Sequence, residues 1–248
     1  MTKLPETASS SAPVRAQDRL IVALDVPTAR QARELAAQLG DAAGIYKVGL
    51  QLFTAEGPAV VRDMVSSGKR VFLDLKLHDI PNTVAHAVKS AIGLGVSMLT
   101  VHGSGGPAML KAATEAAAAS DLLLLAVTVL TSMDEHELSQ VGIGGRVQDQ
   151  VHRLAKLAQS SGCGGVVASA RESSLIRSVV GDGFAIVNPG VRPAGAELND
   201  QRRVATPAEA IRAGATHIVV GRPITQAADP AQAASAIVRE IEQAQAGR

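Results

Sequence analysis

From residue 19 onward, short runs rich in Val, Ile and Leu alternate with Ala-rich segments of helical period, and no other feature narrows the fold as far. A chain written this way builds βα units around a parallel sheet. Strand candidates fall at 20–25, 45–49, 70–76, 97–102, 122–130, 165–169, 184–189 and 217–221. Helical segments lie between and after them at 28–39, 58–67, 83–94, 106–119, 147–161, 171–179, 207–213 and 230–245. Each strand candidate is a near-continuous apolar run, as expected for a sheet covered on both faces. Eight units in about 230 residues fit a closed (β/α)8 TIM barrel, of class α/β, better than an open doubly wound sheet. Spacing alone leaves the open sheet as the alternative.

The 248 residues, 46% of them hydrophobic, suit one catalytic domain over 20–248 preceded by a disordered tail at 1–19. That tail lacks the apolar core of a secretory signal, and nowhere do eighteen apolar residues run together, so no membrane span is expected. Net charge is +1 with the basic residues scattered, which argues against a nucleic-acid or membrane surface. With no Trp and only Tyr46 as tyrosine, a base-stacking platform is also excluded. The single Cys163 rules out an internal disulfide framework, fits a reducing cytoplasm, and reads as a small buried residue rather than a nucleophile.

In a barrel the C-terminal ends of the strands share one mouth, so polar residues far apart in sequence converge there. Asp25 closes the first strand candidate, Lys47 lies in the second, Asp74 and Lys76 end the third, His102 ends the fourth and Thr131 follows the fifth. Strand alternation places Asp74 and Lys76 on one face with Phe72, their Cα atoms roughly 6.6 Å apart. Burying such charges costs several kcal/mol per ion unless each finds a partner, so they mark a chemical site or an ion-pair network tying a loop to the mouth. After the eighth strand, Gly221-Arg222 combines a permissive turn with a bidentate fork before a short helical stretch, a pattern suited to phosphate. Pro189-Gly190-Val191-Arg192, and a long loop carrying Gln201, add donors after the seventh and have the length of a lid. The six His show no metal-ligand spacing. Asp74 and Asp79 could hold magnesium, yet Lys47 and Lys76 bring positive charge into the same mouth. No GxSxG elbow or GxxxxGK[ST] loop occurs, and Gly142-Ile143-Gly144-Gly145 lacks the strand-then-helix context of a dinucleotide fingerprint.

Leu24-Asp25, Tyr46-Lys47-Val48-Gly49, the block Phe72 to Thr83, Leu130-Thr131-Ser132, Pro189-Gly190-Val191-Arg192 and Val220-Gly221-Arg222 together resemble the orotidine 5′-phosphate decarboxylase family. The resemblance spans essentially all of 19–248. It implies a cytoplasmic lyase of pyrimidine biosynthesis that converts orotidine 5′-monophosphate to uridine 5′-monophosphate and CO2 without metal or organic cofactor. It further implies a homodimer with shared sites. Carried over residue by residue, Lys47, Asp74, Lys76 and Asp79 form an alternating charged array, with Lys76 stabilising the C6 carbanion and donating the replacing proton. Asp79 and Thr83 are lent to the partner's site. Asp25 and Lys47 match the ribose contacts, Thr131 the pyrimidine-contacting hydroxyl, and Arg192, Gln201, Gly221 and Arg222 the phosphate positions.

Two other functions remain to be weighed. Sister barrels acting on sugar phosphates share the Asp-x-Lys-x-x-Asp core but carry a magnesium-binding Glu where this chain has Lys47, whose charge would repel a divalent ion. A non-catalytic nucleotide-binding barrel is the other, and the unbroken motif argues against it.

Overall fold

The computed structural model describes residues 15–194 and 205–247. Eight parallel strands pair in sequence order: β1 (Leu20–Ala23), β2 (Ile45–Gly49), β3 (Val71–Leu77), β4 (Met98–His102), β5 (Leu123–Val127), β6 (Gly165–Val167), β7 (Ala185–Asn188) and β8 (His217–Val220). Pairing of Val22 with Val220 joins β1 to β8 and closes the barrel, which removes the open sheet from consideration.

Around the barrel run α1 (Ala16–Arg19), α2 (Ala29–Leu39), α3 (Leu50–Glu56), α4 (Pro58–Ser66), α5 (Pro81–Gly93), α6 (Gly106–Ala117), α7 (Glu135–Gln140), α8 (Val147–Ser160), α9 (Ser173–Val180), α10 (Pro207–Arg212), α11 (Arg222–Thr225) and α12 (Pro230–Ala246). Of the expected N-terminal tail, residues 1–14 lie outside the described residues, while 16–19 form α1 and pack against α12. No helix among the described residues is long and apolar enough to cross a membrane.

Strand alternation divides the core into two layers. Ile21, Ala23, Ile45, Phe72, Met98, Leu125, Val127, Val167, Val187 and Val219 point inward and fill the barrel. Their neighbours, among them Val22, Tyr46, Leu73, Leu99, Val166 and Ile218, pack outward against the helices. This two-sided burial is why each strand reads as an unbroken apolar run rather than a polar-apolar alternation. Toward the C-terminal ends the inward positions change to charge, and the barrel filling gives way to a polar mouth.

Several boundaries differ from the sequence expectation. The first strand stops at Ala23, so Asp25 lies two residues beyond it. The fifth stops at Val127, where both the backbone N–H and the hydroxyl of Thr128 donate to the Val167 carbonyl, each at 3.0 Å. Beyond that point Leu130 turns back onto the inner cluster. Helices α3 and α7 are additions: α3 follows β2 directly, and α7 starts at a capping box in which Asp134 and Glu137 satisfy each other's backbone N–H groups.

Candidate active site

The C-terminal ends of the strands surround a cavity of about 570 Å³. Eight of the expected site residues line it: Asp25, Lys47, Asp74, Lys76, Thr131, Arg192, Gly221 and Arg222. Asp79 and Thr83 do not, because they lie exposed before and within the first turn of α5. Gln201 falls outside the described residues.

Charge is fixed by short contacts within this cavity. Lys47 Nζ donates to Asp25 Oδ1 at 2.9 Å and stands 3.9 Å from Asp74 Oδ2. Lys76 Nζ donates to the same Asp74 oxygen at 2.9 Å. The side chains of Lys47 and Asp74 are only 12% and 14% exposed, whereas Asp25 is 57% exposed, so the array grades from a covered centre to an open rim. Partial burial strengthens each contact relative to water, and mutual pairing offsets the loss of hydration. The four cations Lys47, Lys76, Arg192 and Arg222 outnumber the carboxylates Asp25 and Asp74 in the lining, which suits a small anionic ligand.

The backbone that carries this array is irregular. Leu73 pairs with Leu99 and Leu77 with Val101, so residues 74–76 of β3 face the single Thr100 of β4. Lys76 sits in the left-handed region at φ 51°, alone among the described non-glycine residues in having a positive φ. That conformation costs on the order of 1–3 kcal/mol and persists only where its surroundings hold it. Here the Lys76 backbone N–H donates to Thr100 Oγ1 at 2.9 Å, and the same hydroxyl donates to Asp74 Oδ1 at 3.0 Å. Regular alternation therefore predicts the shared face but not the bulge within it.

Thr100 is the residue that the sequence reading missed. Its signal is modest: a hydroxyl at an inward register position inside the apolar run Met98-Leu99-Thr100-Val101. Gly49 also shapes the site, since a Cβ there would stand 2.9 Å from Lys47 Nζ and 3.3 Å from Asp25 Oδ1. Its missing side chain leaves room for the ion pair. At the end of β4, the His102 ring stacks on His78 with centroids 5.3 Å apart and shares a 2.8 Å hydrogen bond with Ser104 Oγ. Burial, reinforced by His78 and Lys76, holds the His102 imidazole below its ordinary pKa, so it tends to stay neutral beside the ammonium.

A closed parallel barrel with charged residues and phosphate-type donors at the C-terminal mouth defines the class of (β/α)8 barrel enzymes built for small phosphorylated molecules. The model of the orotidine 5′-phosphate decarboxylase / HUMPS family matches residues 18–237, and the chain belongs to that family. Among its relatives, the orotidine 5′-phosphate decarboxylase of Moorella thermoacetica is 54% identical over 237 residues, covering 92% of this chain and 94% of the relative. That of Halorhodospira halophila is 55% identical over 225 residues, covering 90% and 95%. The crystal structure of orotidine 5′-phosphate decarboxylase from Lactobacillus acidophilus superposes with a TM-score of 0.81 at 40% identity, covering 90% of this chain and 98% of that one.

Proposed function

We propose that this chain decarboxylates orotidine 5′-monophosphate to uridine 5′-monophosphate and CO2, in pyrimidine biosynthesis, using its own side chains as the only catalysts. The observation that carries the reading is the Lys76 ammonium held 2.9 Å from Asp74 Oδ2 at the covered centre of the cavity. Breaking the bond from C6 to the carboxylate leaves its electron pair on C6, outside the ring π-system. Lys76 stabilises that charge and then transfers a proton from Nζ to C6. Asp74 holds the Lys76 ammonium in place, Lys47 pairs with the same Asp74 oxygen from the other side, and Asp79 of the partner subunit completes the array. Asp25 and Lys47 take the ribose, Thr131 the pyrimidine, and Arg192, Gly221 and Arg222 the phosphate, with Gln201 assigned to the same group.

Magnitudes indicate how the work is divided. At about 4 Å and an effective dielectric near 20, one charge pair contributes roughly 4 kcal/mol. That falls short of the largest barrier reductions enzymes achieve, so binding energy from the phosphate must also hold and desolvate the ring. Lys47 occupies the position where a sugar-phosphate barrel of this suprafamily would place a magnesium-ligating carboxylate, and its ammonium disfavours a divalent ion. EDTA-treated protein should therefore consume orotidine 5′-monophosphate in an ultraviolet assay, while Lys76→Ala loses at least about 100-fold in kcat. A folded, inactive wild-type protein would redirect the assignment to magnesium-dependent sugar phosphates, then to nucleotide binding without turnover.

The site is completed by a second copy of the chain. Asp79 and Thr83 are exposed outside their own cavity, and the adjoining Ile80 is 67% exposed, in keeping with a surface that docks a homodimer partner. Mixing inactive Lys76→Ala with inactive Asp79→Ala protein should restore activity through one intact hybrid site. No recovery despite demonstrated subunit exchange would remove Asp79 from the partner's site. A cytoplasmic setting agrees with the lone, buried Cys163, whose thiol is pushed up to about 12 by burial.

A further inference from the structure

We infer that Thr100 is a positioning residue for this reaction, its hydroxyl fixing the Asp74 carboxylate and the turned backbone at Lys76 as one unit. The inference rests on the decarboxylase reading. Thr100 is fully buried and does not line the cavity, so it acts only through the residues it touches. A hydroxyl on the inward face of a central strand must be bonded or it destabilises the fold. This one accepts from the Lys76 backbone N–H at 2.9 Å and donates its single proton to Asp74 Oδ1 at 3.0 Å. One hydroxyl, acceptor to the first and donor to the second, thereby serves both partners without conflict.

The consequence is a division of labour on Asp74. With Oδ1 held by Thr100, Oδ2 is presented to Lys76 Nζ at 2.9 Å and Lys47 Nζ at 3.9 Å. The same hydroxyl spans the place where three residues of β3 face one of β4, and where Lys76 adopts φ 51°. Without it the carboxylate loses the bond that fixes its rotation about Cβ–Cγ on the Oδ1 side, and the Lys76 N–H loses the acceptor that holds the left-handed turn. Errors of about 1 Å in a reacting group cost on the order of 100-fold in rate.

Thr100→Val removes the hydroxyl at nearly constant volume, and Thr100→Ser keeps it. Steady-state turnover of orotidine 5′-monophosphate by wild type and both variants, with thermal melting alongside, tests the inference. The expected result is a fall of about 10- to 100-fold in kcat for Thr100→Val with KM within about threefold, and recovery to within about fivefold of wild type in Thr100→Ser. A merely structural hydroxyl would lower the melting temperature of Thr100→Val and leave kcat in place. Unchanged kcat in a folded Thr100→Val protein, a loss confined to KM, or Thr100→Ser no better than Thr100→Val would each overturn the inference while the decarboxylase reading stands. If Thr100→Val does not fold, Thr100→Ala takes its place under the same criteria. Absence of wild-type turnover would remove the decarboxylase reading and this inference with it.

Discussion

The Lys47–Asp25 pair depends on an atom that is missing. Gly49 has an ordinary extended backbone at φ −97°, so its value lies in space rather than conformation. An added Cβ would overlap the Lys47 ammonium at 2.9 Å and crowd the Asp25 carboxylate at 3.3 Å. The atom displaced is the far end of a flexible side chain, which can swing aside without disturbing β2. The fold should therefore tolerate the change while the cavity does not. Gly49→Ala is expected to melt within a few degrees of wild type yet lose about 10-fold or more in kcat/KM. Unaltered kinetics would mean that the geometry of Lys47 against Asp25 does not matter to turnover.

At the scale of elements, strands were the most legible feature because burial on both faces writes each as an apolar run, and all eight are found within a few residues of their expected positions. The helices Ala29–Leu39, Pro58–Ser66 and Pro230–Ala246 were equally readable from their period. The α7 start is written in the sequence as Asp134 with Glu137 three residues on, but six residues are too few for an apolar period to mark the helix that follows. The bulge in β3 was not legible at all. Alternation within one strand is a local property, whereas three residues facing Thr100 is a property of two strands in register. The same limit hid Thr100 itself, because a threonine in an apolar strand has no meaning until its bonding partners are known. Asp79 and Thr83 pose the opposite case: their assignment came from the family resemblance, and a single chain holds no partner against which they could be read.

The whole molecule has a chemical end and a structural end. Opposite the mouth, the barrel floor is closed by His217 at the start of β8, beside Arg19, Arg70 and Asp18. Arg19 donates to the Thr216 carbonyl at 3.2 Å, Arg70 pairs with Asp18 and donates to the Gly44 carbonyl at 3.0 Å, and His217 Nδ1 lies 2.9 Å from Thr216 Oγ1. Burial, reinforced by the two guanidiniums and opposed by Asp18, lowers the His217 pKa to about 4 from an unfolded value near 6.5. Between those values the unfolded chain binds a proton that the folded one refuses. Stability is accordingly undiminished by this group above about pH 6.5, declines as pH falls, and reaches its full loss below about pH 4. The separation of the two values sets that loss at no more than about 3 kcal/mol. Carboxylates such as Asp18, whose pKa is lowered chiefly by its hydrogen bond to Arg15, add their own acid sensitivity at lower pH. Urea unfolding of wild type and His217→Gln at pH 7.5, 5.5 and 4.5 separates the two sources. Wild type should lose stability relative to His217→Gln between the first and last pH, and parallel curves would show that the floor histidine accepts its proton in the folded state.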